Sequence, residues 1–174
     1  VDKRTAELNI SKEYYRILAE YSPVPLFEVN VTELLNFVNE LQQKGVTLKD
    51  VLKDNNQLIK EGLHKLKFVD LNKQACNLFG SDDLDLFRKS FQEIFVLDNS
   101  TFLLNGFISL SKKENTYTSE AVFKSFNGDC IRALVTWILL PENIGEQNHL
   151  LIAVHDITKL KENEQILKTQ NEEL

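Results

Sequence analysis

An α+β fold, with strands and helices segregated along the chain, is predicted by three features of the 174-residue sequence. Apolar residues recur at helical spacing over most of the chain up to Leu110, and from Thr116 the pattern changes to strand alternation. A meander of three strands, Tyr117–Phe126, Cys130–Leu140 and His149–His155, then follows, with Asn127-Gly128-Asp129 as its first turn. Gly 6 and Pro 3 are both scarce, which favours long regular elements over irregular loops. The resulting order is helix, strand, helical insert, strand, several helices, three antiparallel strands, helix. That order excludes a parallel α/β sheet and predicts a five-stranded antiparallel sheet flanked by helices.

The first helix is predicted over Ala6–Tyr21, where Ile10, Tyr14, Ile17 and Tyr21 share a face, and Ser22-Pro23-Val24-Pro25 ends it. A short strand, Leu26–Val31, comes next. Thr32 is placed as the cap of a helix carrying Leu34, Leu35, Val38 and Leu41, which Gly45 stops. Thr47 caps a further turn or two with Leu48, Val51 and Leu52, and Leu58, Ile59 and Leu63 form another apolar stripe interrupted by Gly62. Lys67–Leu71 is β-rich, and Asn72 caps a short helix closed by Gly80. Ser81–Phe95 and Phe102–Leu110 are predicted as two more helices, and Ile157–Leu174 as the last, with Leu160, Leu167 and Leu174 seven apart.

The charge balance, Lys+Arg 20 against Asp+Glu 26, leaves −6 and offers no basic face for nucleic acid. No apolar run approaches the ~18 residues of a membrane helix, so no membrane segment is expected in this fragment. A chain that begins at Val1, has no Met and stops inside a helical pattern is expected to be a piece of a longer protein without a signal peptide here. Cys76 and Cys130 are too far apart in sequence for a ligand pair, which favours a reducing, cytoplasmic compartment. No phosphate-loop, dinucleotide, nucleophile-elbow or zinc-protease motif occurs, and His64, His149 and His155 have no zinc spacing; no metal site and no catalytic residue is expected. His155-Asp156 imitates the phosphoacceptor dipeptide of histidine kinases, but His155 ends an apolar strand run instead of lying on a helix face.

Phe68-Val69-Asp70-Leu71-Asn72-Lys73-Gln74-Ala75-Cys76-Asn77-Leu78-Phe79-Gly80 resembles the second strand and following helix of a PAS domain. Ile152-Ala153-Val154 followed by His155-Asp156-Ile157-Thr158 and a charged helix resembles the junction from the last PAS strand to an output helix. The Asn127-Gly128-Asp129 turn matches the hairpin between the family's last long strands. In a compact PAS domain the first two strands are nearly adjacent, whereas here Thr32 to Leu66 intervenes; this resembles a subgroup of bacterial and archaeal sensors with histidine kinase or diguanylate cyclase outputs. On this reading residues 1–21 are an N-terminal helix, 22–156 the PAS domain with its insert at 32–66, and 157–174 the start of an output helix.

The resemblance implies a sensory module that senses a small ligand or relays a signal to a downstream effector in the same chain. It implies no enzyme activity for the fragment. The flavin-photoreceptor pattern Asn-Cys-Arg-Phe-Leu fails at Gln74-Ala75-Cys76-Asn77-Leu78, and Phe102–Leu110 lacks the His that heme-binding members use, so no cofactor is expected. An unidentified small-molecule ligand remains open, between the sheet and the Ser81–Leu110 helices, touching some of Tyr117, Phe123, Arg132, Thr136 and Trp137; the competing expectation is a fully packed core. A parallel homodimer is expected through Ile10, Tyr14, Ile17 and Tyr21 in the first helix and Leu160 and Leu167 in the tail, where Glu164 and Asn171 interrupt the seam. The competing expectation is that the first helix only covers its own sheet. Asp156 and Thr158 are expected to cap the last helix, and the resemblance assigns the same two residues to signal coupling. The alternative class is a small α+β enzyme with a substrate cavity in a curved sheet, for which Glu120 and Arg132 are the only strongly polar candidates in the meander.

Overall fold

The computed structural model describes residues 3, 6, 13, 16–45, 47–53, 55–96, 101–141 and 147–173. Five strands, β1 (Leu26–Asn30), β2 (Lys67–Leu71), β3 (Thr116–Lys124), β4 (Cys130–Leu139) and β5 (His149–Asp156), form one antiparallel sheet in the order β2-β1-β5-β4-β3. The α+β architecture predicted from the sequence is thus observed, with strand ends moved by a residue or two. β3 stops at Lys124 because Ser125 leaves the ladder. Its N–H donates to the Asp129 carbonyl at 2.9 Å, its hydroxyl accepts from the Asp129 N–H at 3.0 Å, and Gly128 takes the left-handed φ of 90° that the turn requires.

Between β1 and β2 lie three helices, α1 (Thr32–Gln43), α2 (Leu48–Leu52) and α3 (Asn56–His64). Their apolar stripes, including Leu34, Val38, Leu41, Leu52, Ile59 and Leu63, are buried, so the insert is part of the core. The expected Thr32 cap is not formed. Val31 is the N-cap residue, and the Thr32 hydroxyl accepts instead from the Asn148 N–H at 2.9 Å, tying the insert to the start of β5. The α3 cap is Asn55, whose side chain accepts from the Leu58 N–H.

After β2 come α4 (Lys73–Phe79), α5 (Leu84–Ser90) and α6 (Thr101–Ser111), and after β5 comes α7 (Thr158–Glu173). The single helix predicted over Ser81–Phe95 is two pieces. Asp83 caps α5, and a 3-10 turn, Phe91–Ile94, follows Ser90 and turns Phe91 and Ile94 into the core. Phe95 then forms an isolated bridge to Phe123 of β3. α6 is where the insert meets the sheet. A Cβ on Gly62 of α3 would come within 2.6 Å of the Phe107 ring, and one on Gly106 within 2.6 Å of the Trp137 ring.

Asn72 joins four segments. Its side-chain oxygen accepts from the N–H of Ala75, capping α4, and from the N–H of Leu26 at the start of β1, both at 3.0 Å. Its amide donates to the carbonyls of Ala19 and Val24, both at 2.9 Å. Asn72 is 3% exposed, so water cannot replace these partners. Asn72→Ala is expected to lower stability by about 2–4 kcal/mol, the loss of a cap plus buried backbone groups left unpaired. Urea unfolding checks this, and a loss no larger than that of an ordinary cap would show the three other contacts to be idle.

Candidate functional site

β5 hands the chain to α7 through a side chain that substitutes for backbone. The Ile157 N–H donates to the Arg132 carbonyl at 2.8 Å, continuing the β4–β5 ladder by one bond. The next position is already helical, and there the Thr158 hydroxyl oxygen accepts from the Arg132 N–H at 3.0 Å. The Asp156 carboxylate fixes that hydroxyl. It accepts from the Thr158 O–H at 2.6 Å and from the Thr158 N–H at 2.9 Å, an Asx turn that also supplies an acceptor to the helix start.

One turn further, the Lys161 ammonium lies 3.0 Å from the Glu120 carboxylate on β3 and 3.6 Å from Glu164. The bond to Glu120 holds the Lys161 pKa above its ordinary value. The start of α7 is therefore held to both β4 and β3. Beyond it the helix buries nothing: Leu160, Ile166 and Leu167 are 55%, 55% and 60% exposed. Sequence reasoning missed the tie from Thr158 to Arg132 and the one from Lys161 to Glu120. Helical spacing shows that Thr158 and Lys161 share a face of the helix, but their partners 26 and 41 positions away carry no local signal.

The five residues proposed as ligand contacts do not share a face. Alternation along β3 and β4 puts Tyr117, Phe123 and Trp137 on the inner side, with Tyr117 opposite Trp137. Arg132 and Thr136 have the opposite parity and lie on the outer side; Arg132 is exposed, and the Thr136 hydroxyl is 3.2 Å from that of Thr118. As a single lining that set is corrected. Glu120 belongs to the outer side too, where it meets Lys161, so neither polar candidate for an enzyme lies on the inner face.

The inner face is packed with rings. Trp137 meets Phe102 and Tyr117 edge-on at 5.3 and 5.5 Å between centroids, and Phe123 meets Phe79, Phe95 and Phe102. The Tyr117 hydroxyl donates to the Phe102 carbonyl at 2.9 Å, and burial raises its pKa. Trp137 Nε1 is buried and has no hydrogen-bond partner among the described residues. Leaving such an N–H unpaired costs about 1–3 kcal/mol.

In the first helix residues 16–21 are helical, with Ile17 46% and Tyr21 83% exposed. Ile10 and Tyr14 lie outside the described residues. Among the described residues there is no cluster of His, Cys, Asp and Glu able to hold a metal, and no helix long and apolar enough to cross a membrane.

No family model matches the sequence, and no curated protein matches it. Solved structures do. The PAS domain of an HTR-like protein from Haloarcula marismortui superposes with a TM-score of 0.53 at 13% identity, over 89% of this chain and 98% of that one. The PAS domain of a protein from Colwellia psychrerythraea gives 0.54 at 14%, over 86% and 98%. This chain has the PAS fold. A domain of a sensory box sensor histidine kinase/response regulator from Geobacter sulfurreducens gives 0.51 at 14%, over 86% and 96%. In this PAS fold the helices between β2 and β3 cover the inner face, and the β5–α7 junction leaves from the end of β5 that lies beside the start of β1.

The tight inner face generates a prediction. Gly106→Ala drives a methyl group into the Trp137 ring, with Tyr117 only 3.2 Å away, and is expected to cost about 1–3 kcal/mol. Thermal unfolding checks it; an unchanged midpoint would show slack beside Trp137.

Proposed function

We propose that the chain is a sensory module of a signal-transduction protein, relaying a signal from its sheet through α7 to a downstream effector in the same chain, a histidine kinase or a diguanylate cyclase. The observation that carries this reading is the Thr158 hydroxyl seated where a strand carbonyl would be. It couples the start of α7 to the β4 backbone, so a movement of β4 is felt at the helix. The sensor kinase domain among its structural neighbours supports the same class. Free thiols at Cys76 and Cys130 suit a reducing compartment, which supports a cytoplasmic location as part of this reading.

Dimerisation belongs to this reading. A lone helix of the length of α7 with no buried residue is marginal in water, and Leu160 and Leu167, seven apart, give it an apolar seam for a second copy. Ile17 and Tyr21 are exposed in the same way and do not cover their own sheet. A small ligand under the sheet is the second element, favoured by one atom: an acceptor on the ligand would satisfy Trp137 Nε1 beside Tyr117 and Phe102.

Thr158→Val keeps the branched shape and removes the hydroxyl. It is expected to cost about 1 kcal/mol while abolishing stimulus-dependent output of the effector joined to α7. Regulated output that survives both Thr158→Val and Asp156→Ala would leave the pair as a cap alone. Native mass spectrometry of the chain is expected to show a dimer that Leu167→Glu converts to monomer; a monomer at high micromolar concentration would remove dimerisation from the reading.

A further inference from the structure

The insert carries a concave site of its own, remote from the inner face. A cleft of about 370 Å³ opens between α1, the end of α3 and the first residue of β2, lined by Glu33, Phe37, Glu61, His64, Lys65 and Lys67. Its apolar wall is the half-buried Phe37 ring, which lies over Gly62 close enough that a Cβ there would be 3.3 Å away. The other walls carry two carboxylates and two ammonium groups. Glu33 and Lys67 are already paired across the cleft at 3.8 Å. Glu61 and Lys65 are four positions apart, Glu before Lys, which is the favoured order for a helical ion pair. Among the described residues neither makes an ion pair, with the other or with a third group, although both face the same cleft.

We infer that this cleft binds a small zwitterion of the amino-acid class, its ammonium on Glu61, its carboxylate on Lys65 and an apolar side chain against Phe37. An anion alone would meet Glu33 and Glu61 as well as the lysines, and a cation alone would meet Lys65 and Lys67. Only a molecule carrying both charges finds a complement for each. The polar walls are exposed, so the charge contacts confer selectivity and the binding is weak. The location gives occupancy a mechanical consequence. Phe37 and Phe107 both close on Gly62, and Phe107 is the neighbour of Gly106, which lies against Trp137 on the strand that carries Arg132. A ligand pressing on Phe37 is one side-chain layer from α6. The binding site stands on the cleft alone and does not depend on α7 relaying a signal.

The test is titration of the whole chain with each proteinogenic L-amino acid at millimolar concentration, followed by amide NMR shifts. At least one amino acid with an apolar side chain is expected to move the signals of Phe37, Glu61 and Lys65. Its deaminated acid and its decarboxylated amine are each expected to bind at least tenfold more weakly. Glu61→Gln and Lys65→Gln, both at exposed positions, are each expected to weaken binding at least tenfold while leaving the rest of the spectrum in place. Shifts that appear with no amino acid, that persist with the acid or the amine alone, that survive both substitutions, or that map to the inner face would each overturn the inference. Since none of these readouts involves effector output, loss of the site and loss of the relay are told apart.

Discussion

A single buried amide holds the order of the N-terminal half. The Asn72 side chain offers two acceptor positions and two donors, and all four are used, on Ala75, Leu26, Ala19 and Val24. Those partners belong to α4, β1, the end of the first helical segment and the proline-containing connection, so one side chain sets the relative position of all four. Its own backbone adds two more bonds, to the Leu26 carbonyl and from the Cys76 N–H. No other residue type reproduces this. Aspartate lacks the donors, and glutamine carries its amide one carbon too far for the α4 cap. The direction in which the first helix leaves the domain thereby depends on a residue in the core.

The opposite end is fixed by a different device with the same logic. At Thr158 a hydroxyl serves as a strand acceptor while its residue is already helical, and Asp156 orients it. Both chain exits are tied to the sheet by short polar side chains satisfying backbone groups, with Ile157 buried beside the second. The Thr158–Asp156 ties are exposed, so water can replace them and they break and re-form at modest cost, whereas the buried Asn72 bonds and the packed core have few alternative arrangements. The aromatic interior around Phe123 and Trp137, with Asn72, thus supplies a stiff frame, and the C-terminal exit supplies the adjustable part.

Most of the architecture was legible in the sequence because its signals are local. Asn72 before an apolar turn, Gly80 at a left-handed φ of 81°, and alternation in β3 and β4 each need only neighbouring residues to be read. The misreadings arose where a residue's partner is distant in sequence. Thr32 looks like a cap until Asn148 competes for its hydroxyl, and Ser81–Phe95 looks like one helix until the bridge from Phe95 to Phe123 pulls its end open. The five candidate ligand contacts fall on two faces of the sheet. Strand parity alone separates Arg132 and Thr136 from Trp137, so the sequence held the information, and choosing residues by chemistry instead of by face lost it. The cleft in the insert was not legible, since Glu33 and Lys67 come together only when α1 returns to the edge of β2.

The position of β1 between β5 and β2 also has a consequence for how the chain assembles. β3, β4 and β5 are neighbours in sequence and pair through short connections, so their ladders close at little entropic cost. β1 pairs Phe27 with Ile152 on one side and with Leu71 on the other, the first across nearly the whole chain and the second across the three helices of the insert. Loop-closure entropy makes these the slow contacts. On loop-closure entropy alone the meander is expected to form first and β1 to dock later, bringing the insert onto α6. A meander without β1 leaves the edge of β5 that pairs with Leu26–Asn30 as an open strand, ready for a strand from another copy.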